Sequence, residues 1–142
     1  MTAGVAYESV AVGTQLPVQS FALNRLQLVM YAGASGDFNV IHWNERAATS
    51  VGLPNVIAHG MLTMAEAARV LTDWVGDPGA VIEYGVRFTR VVAVPDDGAG
   101  ARLEVTGQVT ELLEGHRVRV ELTATAAGAK VLGQARAVVQ LA

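Results

Sequence analysis

Asp37 and His42 are the residues whose types and spacing could do chemistry. They lie in Tyr31-Ala-Gly-Ala-Ser-Gly-Asp-Phe-Asn-Val-Ile-His42, a Gly-rich stretch that also carries Asn39, and Ala58-His-Gly60 echoes it further on. A carboxylate beside an imidazole can divide two proton transfers near neutrality, because an imidazole with a reference pKa of about 6.5 serves as base or acid at little cost. On a helix, a five-residue spacing rotates the two side chains about 140° apart. The pair therefore converges only if Gly36 and Asn39 shape a turn; the plainer reading makes Asp37 a cap. One Asp and one His are too few for a zinc site, and His59 is the only spare ligand, so no metal is expected. His59 otherwise packs ahead of a helix. Gly60 opens that helix, where unpaired N–H groups and the positive dipole end could hold an oxyanion, or where glycine simply allows a tight entry. His116 reads as a solvated hairpin tip. The chain has no Cys, and the GxSxG, Walker and GxGxxG patterns are absent.

The elements that must position these groups follow from the patterning. Residues 8–22 alternate weakly, with Gly13 and Pro17, and predict an edge strand ending near Phe21. Asn24 caps a predicted helix with apolar positions Leu26, Val29, Met30 and Ala32, closed by Gly33 and Gly36. Asn44–Ser50 reads as a short helix stopped at Gly52. A helix from about Gly60 to Val75 is apolar over well over half its circumference, with a polar stripe of Thr63, Glu66, Arg69 and Asp73. That is wider than the ~100° stripe of a surface helix, so it must be wrapped on several sides. Period-two alternation over 81–92, 103–111, 118–126 and 131–141 predicts strands with one buried face, joined at Glu114-Gly-His116 and Ala127–Lys130. The fold class expected is α+β: one long central helix nearly encircled by a curved antiparallel sheet.

The 142 residues fit a single domain, 1–142, with enough length for one core. Hydrophobic residues make up 51% and charged residues 16%, which excludes disorder and suggests surface buried against another subunit. A net charge of -3 without a basic run excludes a nucleic-acid footprint. The N-terminus lacks the charged and apolar regions of a signal peptide, and no segment spans a membrane, so a cytoplasmic location is expected.

The twelve-residue stretch, followed by Ala58-His59-Gly60-Met61-Leu-Thr-Met64, closely resembles the hydratase-2 motif of MaoC-like hot-dog proteins. Trp74-Val-Gly-Asp-Pro-Gly-Ala80 and Glu83-Tyr-Gly-Val-Arg87-Phe-Thr89 look most similar to the catalytic β subunit of the (3R)-hydroxyacyl-ACP dehydratase of mycolic-type fatty acid elongation. The resemblance covers nearly the whole chain. It implies a hot-dog fold, Asp37 and His42 as the catalytic pair, Asn39 as a positioning residue and the Gly60 N–H as oxyanion donor.

It further implies reversible dehydration of a (3R)-hydroxyacyl thioester carried on acyl carrier protein or CoA, with no cofactor. His42 would move the C2 proton while Asp37 holds and protonates the departing water; the reverse assignment stays open. Two other readings compete. One is a non-catalytic acyl-binding subunit, against which the intact pair argues. The other is a hot-dog thioesterase, for which Glu66 is the only carboxylate early on the central helix. The partner expected is a second copy or a related hot-dog subunit lacking the pair, with the site at the boundary.

Overall fold

The computed structural model describes residues 4–142, so the leader reading at Met1–Ala3 lies outside the described residues. Its elements are β1 (Gln19–Leu23), α1 (Arg25–Ser35), α2 (Glu45–Ser50), α3 (Gly60–Val75), β2 (Val81–Phe88), β3 (Ala101–Leu113), β4 (Arg117–Ala126), β5 (Ala129–Lys130) and β6 (Leu132–Gln140). The strands form one antiparallel sheet in the order β1-β3-β4-β6-β2, with β5 pairing on β4. A sequence register that alternates cleanly gives β3 and β4 a fully buried row, Leu103, Val105 and Val109 facing Val118, Val120 and Ala124 in the core. The sheet packs on α3, the longest helix. This is the α+β architecture expected.

The central helix buries Leu62, Thr63, Ala67, Val70, Leu71 and Val75. Full burial of Val70 and Leu71 stabilises the fold by roughly 1.5–3 kcal/mol each. Two expectations need correction here. The outward row is Met61, Ala65, Arg69 and Asp73, so the helix is open on one side rather than encircled within this chain. Thr63 is not on that row: six residues rotate it about 120° from Arg69, and it is 4% exposed. Arg69 does pair with Glu66 at 2.9 Å, and its guanidinium lies over the Phe21 ring.

Two strand boundaries and one helix face also differ from expectation. The edge strand β1 runs on to Leu23. In α1 the buried residues are Leu28 and Ala32, while Leu26, Val29 and Met30 are exposed; apolar type alone did not identify the inner face. The strand expected over 81–92 ends at Phe88, and bulges around Ile82 and Val86 break its alternation, leaving Ile82 and Phe88 exposed. Residues beyond it leave the sheet for another partner. The Ala58 N–H donates to Val92 O at 2.8 Å and the Val94 N–H to Val56 O at 2.9 Å, so 92–94 straps the segment that leads into α3.

Candidate active site

The turn after α1 shows how five residues bring Asp37 to His42. Gly36 closes the helix in the left-handed region at φ 75°. A staircase of side chains then accepts the freed main-chain donors. Ser35 Oγ accepts from the Asp37 N–H at 3.2 Å, Asp37 Oδ1 from the Asn39 N–H at 3.2 Å, and Asn39 Oδ1 from the Ile41 N–H at 3.3 Å. Asn39 thereby caps a one-turn 3-10 helix, Val40–His42, that presents the imidazole. The two readings of Asp37 are both met, by different atoms: Oδ1 holds the turn, while Oδ2 stands 3.8 Å from His42 Nε2.

The imidazole is fixed from behind. His42 is 7% exposed, and its Nδ1 lies 2.7 Å from the carbonyl oxygen of Ile57. A carbonyl only accepts, so Nδ1 carries a proton in this contact, and in the neutral form of the ring the free lone pair is on Nε2, the atom that faces Asp37. Ile57 is itself anchored by its N–H to Ile41 O at 3.1 Å and by a bridge to Ala93. The Asp37 side chain remains about half exposed.

His59 lies against this pair at 1% exposure. Its ring stacks on His42 with centroids 3.8 Å apart and meets Tyr31 at 4.7 Å. Its Nε2–H donates to the main-chain oxygen of Asp37 at 3.1 Å. Burial pushes its pKa below the ordinary histidine value, opposed by that hydrogen bond. Asp37, His42 and His59 each place a donor atom within 4.8 Å of the others. Ring lone pairs lie in the ring plane, however, and two rings only 23° from parallel aim theirs side by side rather than at one point. With His42 Nδ1 and His59 Nε2 held by carbonyls, the set suits proton traffic better than a shared cation.

Gly60 begins α3 next to these rings, and His59, at the N-cap, makes no side-chain hydrogen bond to the first turn. A cavity of about 350 Å³ opens here, walled by His42, Ala58, Gly60, Thr63, Phe88 and Val91 among others. Glycine at 60 is what lets the Phe88 ring close on the helix start, since a Cβ would meet that ring at 3.1 Å. A larger depression, about 570 Å³, lies over β2 and β6 beside Glu83, Arg87, Arg119 and Arg136. It holds no acid–base pair, and Arg119 is already tied to Glu111 at 2.9 Å.

A family model described as the MaoC like domain matches residues 9–128, a span that holds the whole turn, both imidazoles and Gly60. The chain belongs to the MaoC-like family. A solved structure described as a MaoC-like dehydratase is 42% identical, with a TM-score of 0.94, and covers 99% of this chain and 44% of its own. The R-hydratase PhaJ1 of Pseudomonas aeruginosa is 27% identical, with a TM-score of 0.82, over 99% of this chain and 89% of its own. Among curated proteins, 3-hydroxyacyl-thioester dehydratase X of Mycobacterium tuberculosis is 38% identical over 79 residues, 56% of this chain and 27% of that protein. This chain thus spans less than half the length of two of these relatives.

This MaoC-like site also contains groups that sequence reading passed over. Thr63 was assigned to the solvent stripe, yet it walls the cavity one turn above Gly60. Its signal was a lone hydroxyl among apolar residues at the start of the helix. Phe88 and Val91 read as sheet residues and instead form the opposite wall. His59 read as packing, and its hydrogen bond to the Asp37 main chain had no sequence signal.

Proposed function

We propose that this chain is a (3R)-hydroxyacyl thioester dehydratase of fatty acid elongation, acting in reverse as a trans-2-enoyl thioester hydratase, in one domain spanning 1–142. The observation that carries the reading is His42 Nε2 facing Asp37 Oδ2 at 3.8 Å, with Nδ1 held by the Ile57 carbonyl, beside the uncapped start of α3. The names of the relatives, a 3-hydroxyacyl-thioester dehydratase and R-hydratases, support it. Dehydration breaks the C2–H and C3–O bonds and forms the C2=C3 bond. The C2 proton goes to His42 Nε2, and the leaving oxygen departs as water with a proton from the acid form of Asp37. The proton on Nε2 then passes back to the Asp37 carboxylate to restore the pair. Negative charge gathering on the thioester oxygen is met by the Gly60 N–H, preorganised at the positive end of α3. Asn39 acts through the turn, as the cap that aims His42. The neutral tautomer favours His42 as the base; the opposite direction of proton flow uses the same two atoms.

The thioesterase alternative is weaker, because Glu66 is engaged by Arg69 and does not wall the cavity. Crotonyl-CoA separates the readings. Loss of the enoyl absorbance without release of free thiol is the expected result, whereas thiol release without hydration would overturn the assignment. The carrier, acyl carrier protein or CoA, is proposed on the same chemistry, and a cytoplasmic location goes with it; among the described residues, no helix is long and apolar enough to cross a membrane.

We also propose a dimer, as two copies or with a related hot-dog subunit that lacks the pair. Supporting it are Met61 exposed on α3, the unpaired edge of β2 with Ile82 and Phe88 exposed, and Val29, Met30, Phe38 and Trp43 exposed around Asp37. Apolar surface of this kind on a water-facing domain marks an interface.

A further inference from the structure

Among the described residues, His59 Nδ1 is the one buried side-chain nitrogen or oxygen with no hydrogen-bond partner. Buried polar atoms are almost always paired, so an orphan needs a reason. The reason is geometric. The ring has two constraints that leave it no freedom to turn: Nε2–H must reach the Asp37 carbonyl at 3.1 Å, and the ring face must lie on His42 at 3.8 Å with Tyr31 beside it. Flipping the ring to satisfy Nδ1 would give up the bond to Asp37. His59 is also the N-cap of α3, so the same residue that ties down the turn carries the main chain into Gly60.

We propose that His59 is a positioning residue for the proton-transfer pair, a buried imidazole that locks the Asp37 main chain and the His42 ring to the start of α3. This role rests on the hydratase reading above. The ring must stay neutral to fill it. A second proton would leave a buried Nδ1–H with no acceptor and set a cation against the ring of His42 just where a proton arrives. A neutral partner lets His42 take its proton without that repulsion, and the hydrogen bond holds Asp37 in register while it does so. Displacement of a catalytic group by ~1 Å can cost on the order of 10² in rate, which is the size of effect such a lock protects.

Two variants test it with the crotonyl-CoA assay on the full chain. His59→Phe keeps a ring to stack on His42 but loses the N–H; kcat should fall by about 10- to 100-fold with KM little changed. His59→Gln keeps an N–H able to reach the Asp37 carbonyl and should recover part of that loss. Wild-type kcat in His59→Phe, or a rise in KM without a fall in kcat, would overturn the proposal. Equal losses in both variants that follow their melting temperatures would also overturn it, since that is what packing alone predicts.

A second readout needs no turnover. Imidazole ¹⁵N spectra of the unmodified chain at pH 7 should show His59 neutral and protonated at Nε2, and the Asp37 amide resonance should move in His59→Phe. An imidazolium, an Nδ1–H tautomer, or an unmoved Asp37 would refute the lock even if the chain hydrated crotonyl-CoA. If the chain fails to hydrate it while these signatures hold, the hydratase reading fails and the lock stands.

Discussion

The starts of α1 and α3 are built on opposite principles. At α1 the Asn24 side chain accepts from the Gln27 N–H at 3.0 Å, and the Gln27 side chain accepts from the Asn24 N–H at 2.7 Å, a reciprocal capping box. Asn44 does the same one-sided service for α2, and Asn39 for the turn that carries His42. At α3 the N-cap is His59, which turns its ring away to Asp37 and His42 and leaves the first turn without a side-chain cap. A helix end left uncapped normally loses stability. Here that end meets a cavity shared with His42, where the proposed oxyanion would take the place of the missing cap. Capping therefore separates a helix start closed by its own side chains from one left open to the cavity.

The sharpest way to break this comparison is to remove the groups facing the uncapped end. His42→Ala and Asp37→Asn should each lower hydration of crotonyl-CoA by on the order of 10² or more with an unchanged fold, measured by steady-state kinetics and circular dichroism. Near-normal rates in both would mean the cavity is not the active site.

Next comes the helix start itself. Proline is tolerated at the first helical position, and His59 already has the extended backbone, φ −57° and ψ 133°, that a following proline requires. Gly60→Pro should cost roughly 10²-fold in kcat by deleting the N–H. Gly60→Ala supplies the control, because it keeps the N–H and adds a Cβ that the half-exposed Phe88 ring must yield to. Equal activity of the two variants would remove the oxyanion role.

The capped end should behave in reverse. Asn24→Ala should cost about 1 kcal/mol in denaturant unfolding and leave kcat alone. A fall in kcat with unchanged stability would erase the division of labour.

The smallest effect is in pH. His59 has a folded pKa below its unfolded value of about 6.5, so below that pH the unfolded chain binds the extra proton first. Its contribution to stability is complete above pH ~6.5 and declines as the pH falls towards the folded value. The melting temperature should drop between pH 7.5 and 5.5, and His59→Phe should shrink that drop. An equal drop in both proteins would place the pH response elsewhere.

Much of this was legible in the residues because it is local. Asn24, Gly36, Asn44 and Gly60 set helix limits by chemistry that acts within a few residues, and the structure keeps α1, α2 and α3 close to those limits. The clean alternation of β3 and β4 likewise revealed their inner faces. The failures share a cause. Leu26, Val29 and Met30 look like a core face but are exposed, Thr63 looks solvated but is buried, and 89–92 look like strand but leave the sheet. In each case the outcome depends on what lies opposite in space, which neither type nor spacing encodes.

The sequence by itself determined the parts of this site: a carboxylate and an imidazole five residues apart, the Gly36 and Asn39 that let them turn, and a glycine at the head of an apolar helix. Only the tertiary structure decided what those parts do together. The Ile57 carbonyl that sets the tautomer of His42, the Phe88 and Val91 wall and the stack of His59 all come from segments far apart in the chain. They meet because 92–94 straps onto 56–58 and draws β2's end over the start of α3. Proton position and burial are properties of that meeting, and so they appear only when the chain has folded.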